Sequence, residues 1–336
     1  MQETRIPIGI SSCLLGEAVR FDGGHKRDHY ITRTLGQHFH FIPFCPEMAI
    51  GLGAPRQTLR LIRIAPPEHL PAKPGRPDAQ HSGEIRVRGN KTHELDVTDA
   101  LRASGAQQAS RHPELCGYIL KSKSPSCGME RVTLYRDWEG KRPPEKTGVG
   151  QFAETFMAAR PELPCEEEGR LGDPVLRDNF ITRVFTLHRW RTLVRDDLNA
   201  KALLDFHTAH KLLLLAHHPQ TYTDLGRLLS NLRHADLEAL SHDYLLILMR
   251  GLRHIATRGK NANVLQHLVG YLRAELDDGD RDELRRVIDD YREGHVPLIV
   301  PITLLRHHFR RHPHPYVAGQ VYLEPHPPEL MLRNGV

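Results

Sequence analysis

The sequence predicts an α/β domain with a mainly parallel sheet, followed by an all-α helical bundle, and three observations carry that expectation. Over residues 1–160 short apolar runs alternate with helical stretches, the pattern of a Rossmann-like domain. From 176 to about 310 the texture changes to one amphipathic helical stretch after another. Between them, the Pro-, Gly- and acid-rich run from Arg160 to Pro174 marks a junction. The expected division is a domain over 1–160, a linker over 161–184 and a helical domain over 185–336, since 336 residues exceed one ordinary core.

In the first domain, strands are expected over Ile6–Ser12, Phe39–Phe44 and Tyr118–Ser122, where apolar residues run up to small and polar ones. Helices are expected over 28–37, 93–110 and 149–160, the last because Phe152, Phe156 and Met157 recur at helical spacing. Residues 65–92, dense in Pro, Gly and charge, read as a long loop or excursion. In the second domain the expected helices are 176–197, 200–218, 221–233, 236–257, 261–278 and 279–293. The runs Ala202–Phe206 and Lys211–Ala216 supply an inner apolar face.

Composition narrows the function classes. Hydrophobic content of 39% with 26% charged residues excludes a disordered chain. The amino terminus has no apolar core of a signal peptide, and no run approaches the ~18 apolar residues of a membrane span, so a cytoplasmic, non-membrane protein is expected. Five cysteines, an odd number without framework spacing, argue for free thiols available as ligands. A net charge of +5 permits a nucleic-acid partner without requiring one. Of the 23 histidines, 15 lie beyond residue 185, several beside arginine as in Arg306–His314. No His-x-x-Glu-His or His/Cys grouping accompanies them, so a solvated or weakly cationic face is the leading reading, and a phosphate-binding role, with Arg258-Gly259-Lys260 in a helix–helix loop and the Arg306–His314 cluster, ranks between that and a metal site.

The chemistry concentrates on three cysteines. Cys13, Cys45 and Cys127 each follow a predicted strand and precede or occupy a turn. An open parallel sheet gathers ligands outside the carboxyl ends of its strands, so the three thiols are expected to converge. Three thiolates at one point hold a soft metal centre with a position left vacant, and softness alone leaves zinc and an iron–sulfur cluster open. Ser11, Ser12 and Gly16 shape the first turn, with Arg20 and Asp22 nearby as a charged pair and Asp22 as a possible second acid or base. Cys45-Pro46-Glu47 sets a carboxylate two residues from a thiol, which makes Glu47 the candidate general base. Lys121, Lys123, Ser124 and Ser126 bring charge and hydroxyls to the third loop. Ser124 and Ser126 are candidates to hydrogen-bond substrate or relay a proton, Ser126 equally reading as a turn cap. Cys116 reads as a core residue, and Cys165 falls in the acidic junction as no ligand.

Together Ser11-Ser12-Cys13-Leu14-Leu15-Gly16, Cys45-Pro46-Glu47 and the run from Lys121 to Gly128 resemble the TudS-like thiouracil desulfidase family, over residues 5 to about 160. Phe206–Lys211 and Pro327–Asn334 are similar to the accessory domain of its two-domain members, which act on 4-thiouridine in tRNA. The resemblance implies a [4Fe-4S] cluster on Cys13, Cys45 and Cys127, with the fourth iron open to the substrate's sulfur. It implies hydrolysis without external electrons, giving uridine and sulfide, with Glu47, Ser124 and Ser126 as catalytic candidates. Thiolated tRNA is the expected partner. Free thiolated uracils are the alternative substrates, and a non-catalytic iron–sulfur sensor of nucleic acid is the alternative of another class.

Overall fold

A computed structural model describes residues 5–64, 83–138, 141–232 and 234–336. Most of the excursion expected over 65–92, residues 65–82, lies outside them. The chain forms two compact units, Met1–Gly169 and Arg170–Val336.

The first unit runs β1 (Ile6–Ser11), β2 (Phe39–Phe44), α1 (Pro46–Ala49), β3 (Leu59–Ile64), β4 (Glu84–Gly89), α2 (Thr98–Arg111), β5 (Gly117–Leu120), β6 (Val132–Tyr135), β7 (Glu145–Gly148), α3 (Gln151–Ala159) and β8 (Cys165–Glu167). One four-stranded sheet has the order β2-β1-β5-β8 and is parallel throughout. β1 is its near-central strand, with Ile8 opposite Phe41 on one side and Gly117 on the other. Buried on both faces, it is almost continuously apolar, as interior parallel strands are. Gly9 has no side chain because the Tyr118 ring stands 2.3 Å from where a Cβ would project. A second sheet, β4-β3-β6-β7, is mixed: β3 pairs antiparallel with β4 and parallel with β6, and β6 pairs antiparallel with β7.

Two expected helices differ in form. Over 28–37 the chain makes a wide π-type turn, Tyr30–Thr34, and a 3₁₀ turn, Leu35–Gln37. β-branched Ile31, Thr32 and Thr34 together with Gly36 weaken a regular α-helix there. α2 begins at Thr98 and not near 93, because residues 95–97 run beside β4: Gly89 N–H donates to Leu95 O (2.9 Å) and Val97 N–H to Val87 O (3.0 Å). The segment 161–184 is not a plain linker. It contains β8, an integral edge strand, and the first turns of the next helix, since apolar Leu163 and Leu171 bury themselves on either side of the acids.

The second unit is helical: α4 (Pro174–Asp197), α5 (Ala200–His217), α6 (Pro219–Ser230), α7 (Leu237–Leu252), α8 (Arg258–Tyr271), α9 (Asp278–Glu293), α10 (Ile299–Arg311) and the short α11 (Pro315–Ala318). Asp173, Asn199, Asp236, Thr257 and Asp277 cap α4, α5, α7, α8 and α9 through their side-chain oxygens. Leu203, Phe206 and Leu212–Leu214 are buried as expected of α5's inner face, and Trp190 stacks on Tyr244 at 5.2 Å. α10, absent from the expected set, carries most of the Arg306–His314 cluster. Among the described residues no helix is long and apolar enough to cross a membrane.

The start of α3 holds the loop after β5 in place. Gly150 N–H donates to Gly128 O (2.8 Å), Gln151 N–H to Pro125 O (3.1 Å) and Ala153 N–H to Ser126 O (3.1 Å). A Cβ on Gly150 would lie 2.4 Å from Ser126 O and 2.8 Å from Cys127 N. Gly150→Ala is therefore expected to destabilise the protein by roughly 1–3 kcal/mol, as overpacked sites do. Urea denaturation measures it, and an unchanged midpoint counts against α3 as the loop's anchor.

Candidate functional site

The three cysteines reach one cavity from three adjacent parallel strands. Cys13 lies in the 3₁₀ turn Ser12–Leu14 that directly succeeds β1. Cys45 comes after β2 and starts α1, whose first residue, Pro46, has the fixed φ a helix start favours. Cys127 sits in the loop after β5. All three line a cavity of about 610 Å³. They are free thiols, Cys13 and Cys127 buried and Cys45 half-buried. Burial pushes the Cys13 thiol up to about 11, offset in part by the Lys121 ammonium. Burial also raises Cys45 and Cys127, and for Cys127 the charges of Cys45 and Glu47 raise it further. Among the described residues no group of three or more His, Cys, Asp or Glu side chains is arranged to hold a metal ion.

Glu47, in the first turn of α1, lines the same cavity with both oxygens engaged. Its Oε1 accepts from Ser126 Oγ (2.8 Å). Its Oε2 accepts from Arg56 Nε (2.7 Å), with Arg56 Nη2 at 2.6 Å. Arg56 also donates to Val19 O (3.0 Å) and Gly53 O (2.5 Å), so one guanidinium ties three segments together. Nothing in the sequence near Arg56 flags it, because its partners are set by the fold and not by spacing.

The two serines take different places. Ser126 is fully buried and is not part of the cavity lining; its hydroxyl acts on Glu47 and not outward. Ser124 lines the cavity and is itself the turn cap, its Oγ accepting from Ser126 N–H (3.2 Å) and Cys127 N–H (3.1 Å). Lys123, in the left-handed region at φ +61°, stands exposed at the rim. Lys121 pairs with Glu168, which also accepts from Ser122 N–H (2.7 Å) and Ser122 Oγ (2.8 Å). Glu167 accepts from Met129 N–H (2.7 Å), and burial raises its carboxyl. The acidic run read as a domain junction thus ties down the Cys127 loop. Its position at and just beyond edge strand β8, invisible in local pattern, is what gives it that role.

Asp22 does not reach the cavity. It is exposed, accepts from Gly24 N–H (3.1 Å) and Arg20 Nε (3.4 Å), and its carboxyl is lowered first by the Gly24 N–H. It closes a turn and is not placed as a second acid or base. Cys116 and Cys165 are buried and do not line the cavity. The lining carries Arg20, Lys26, Arg56, Lys121 and Lys123 against Glu47 and Glu168, so its balance is positive. Phe21 and Phe44 add aromatic wall, Phe44 stacked on Phe152 at 5.5 Å. Such a cavity suits a flat ring and negative charge near sulfur.

Residues 8–168 match the family described as 2-thiouracil desulfurase, which includes every residue lining this cavity. Residues 211–327 match a family described as protein of unknown function, DUF1722. The uncharacterized protein YbgA of Escherichia coli (strain K12) is 33% identical over 158 residues, covering 47% of this chain and 94% of that protein. A solved structure of the [4Fe-4S]-dependent thiouracil desulfidase TudS matches with a TM-score of 0.35 and 24% identity, over 50% of this chain and 94% of that one. The chain belongs to the family of YbgA, and its residues 8–168 are similar to the 2-thiouracil desulfurase family.

Buried thiols and a buried ion pair both have measurable signatures. In metal-free protein, alkylation of Cys13 by iodoacetamide is expected to be slow at pH 7 and to rise up to a pH of about 11. Folding favours the neutral thiol, so its contribution to stability is complete below pH 9.0, the ordinary value, and is lost as pH rises through about 11. A rate plateau near pH 8 rules out the buried-thiol account. Arg56→Met leaves the Glu47 carboxylate without its buried partner and is expected to cost about 3–5 kcal/mol in urea denaturation.

Proposed function

We propose that this chain is a desulfidase that hydrolyses 4-thiouridine in tRNA to uridine and sulfide, using a [4Fe-4S] cluster held by Cys13, Cys45 and Cys127. The observation that carries it is the meeting, around one positively lined cavity, of three free thiols and a hydrogen-bonded carboxylate. The donor set fits such a cluster: three soft ligands arrive at one cavity from separate strand ends, and five cations offset negative charge. Three protein ligands leave one of four irons without a cysteine. When bound, the cluster supplies a thiophilic Lewis acid for the thiocarbonyl sulfur.

The protein's own residues handle water and protons. Glu47 takes the proton of a water that attacks the ring carbon, while Ser126 and Arg56 fix the direction of its carboxylate. Ser124, on the lining, offers its hydroxyl hydrogen to the ring. Lys121 and Lys123 stabilise the negative charge that develops as sulfur leaves. Carbon exchanges sulfur for oxygen with no change of oxidation state, so the balance needs water alone.

RNA is favoured over a free thiouracil base by the second unit, which presents exposed Arg306, His307, Arg310 and Arg311 on and beside one face of α10. With anaerobically reconstituted protein, thiolated tRNA is expected to lose its thiouridine absorbance and release an equal amount of sulfide. Glu47→Gln is expected to lower turnover by about 10²-fold or more while the cluster absorption persists. An intact cluster with no sulfide from tRNA but release from 2-thiouracil assigns the free base as substrate. No release from either leaves a sensor.

A further inference from the structure

The helical unit has a cavity of about 260 Å³ with a mixed polar and apolar wall, lined only by residues between Val175 and Val336, that the desulfidase site does not use. Most of its wall is internally satisfied. Tyr322 Oη donates to Asn261 Oδ1 (2.9 Å), Asn261 Nδ2 donates to Tyr291 Oη (3.0 Å), and Asn179 Nδ2 donates to Leu252 O (2.9 Å). Asp178 accepts from His326 Nε2 (2.9 Å), and the Val336 carbonyl accepts from Leu298 N–H (2.8 Å).

Arg333 is the exception. It is 7% exposed, lines the cavity, and its Nε and Nη1 are buried with no acceptor among the described residues. Its guanidinium stands 5.0 Å from the Tyr322 ring centroid, which fixes its plane but satisfies no donor. Arginine does not shed its proton, so burial cannot be relieved by neutralisation. An acceptor with two oxygens matched to the Nε/Nη1 edge is what the site lacks. At the mouth, Ile255 to Arg258 lead into α8, a 14-residue helix whose positive end faces the same space.

We propose that this cavity binds a phosphate group, gripped by the Arg333 guanidinium and the amino end of α8. Two cations, Arg258 and Arg333, line it, Arg258 donating to Tyr291 O (2.8 Å), against Asp178, which is engaged by His326. The volume admits a phosphoryl group with a small substituent, whether free phosphate or the end of a phosphate monoester. This site stands independently of the reaction assigned to the thiol cavity.

Calorimetric titration of the intact chain with inorganic phosphate, a nucleoside 5′-monophosphate and the parent nucleoside tests it. Saturable binding of the two phosphates and none of the nucleoside is expected; tenfold tighter binding of the monophosphate assigns the monoester, and equal binding the free anion. Arg333→Met is expected to weaken binding at least tenfold. Should that variant unfold, Ala256→Asp, which sets a carboxylate at the mouth without touching Arg333, is expected to do the same. No saturable binding by the folded wild-type chain overturns the proposal and leaves Arg333 to water. Undiminished affinity in Ala256→Asp overturns it equally.

Discussion

Everything at the thiol cavity depends on three strands running the same way. β1 lies between β2 and β5 in parallel register, so their carboxyl ends fall on one sheet edge, and each of the turns beyond carries a cysteine. Had one of the six-residue strands been antiparallel, its cysteine would sit about 20 Å away at the opposite edge. Parallel pairing in turn needs both sheet faces covered, which β1, buried but for Pro7, and the fully buried β5 reflect. The gathering of the three thiols is thus a consequence of topology before it is one of side chains.

Topology brings the turns close, but the carboxylate network fixes them. Glu47 comes two residues after Cys45, Ser126 precedes Cys127, and Val19 belongs to the chain after Cys13. One continuous set of bonds, Ser126 to Glu47 to Arg56 to Val19, therefore links all three cysteine turns. A buried pair such as Glu47–Arg56 adds little net stability compared with an apolar replacement, because desolvation offsets attraction. Its value lies in direction: it holds a carboxylate against the cavity and keeps it from swinging into solvent. The Cys127 loop has a second anchor in Glu167 and Glu168, which accept its backbone N–H groups from β8 and the residue after it.

Features that depend on local pattern were legible in the sequence. β2 begins and ends where its apolar run does, and the helices of the second unit begin at their polar caps to within a few residues. The three cysteines were visible for the same reason, each sitting beside Pro, Gly or Ser at a strand end. What stayed hidden involves distant partners. Arg56 meets Glu47 across a turn, Glu168 meets Lys121 from 47 residues away, and the mixed second sheet joins β3 to β6 across more than 60 intervening residues. Asp22 misled because a charged pair near a cysteine looks the same in sequence whether it closes a turn or faces a cavity. Ser124, and not Ser126, caps the loop, which a sequence naming both as candidates could not decide, since alternate positions in one tight loop point opposite ways.

The lining of the thiol cavity runs from Ser11 to Glu168, so the thiols, the carboxylate and the cations all come from the first unit. The chemistry of sulfur removal, on the reading proposed, is therefore complete without a side chain from the helical unit. A helical unit of similar size, well capped and with its own cavity, is too ordered to be a mere tail. If it adds nothing to bond breaking, its contribution to such an enzyme is selection, which acts through binding energy remote from the reacting atoms. Binding of that kind, spent far from the ring, distinguishes a nucleotide held in a large RNA from the same ring free in solution.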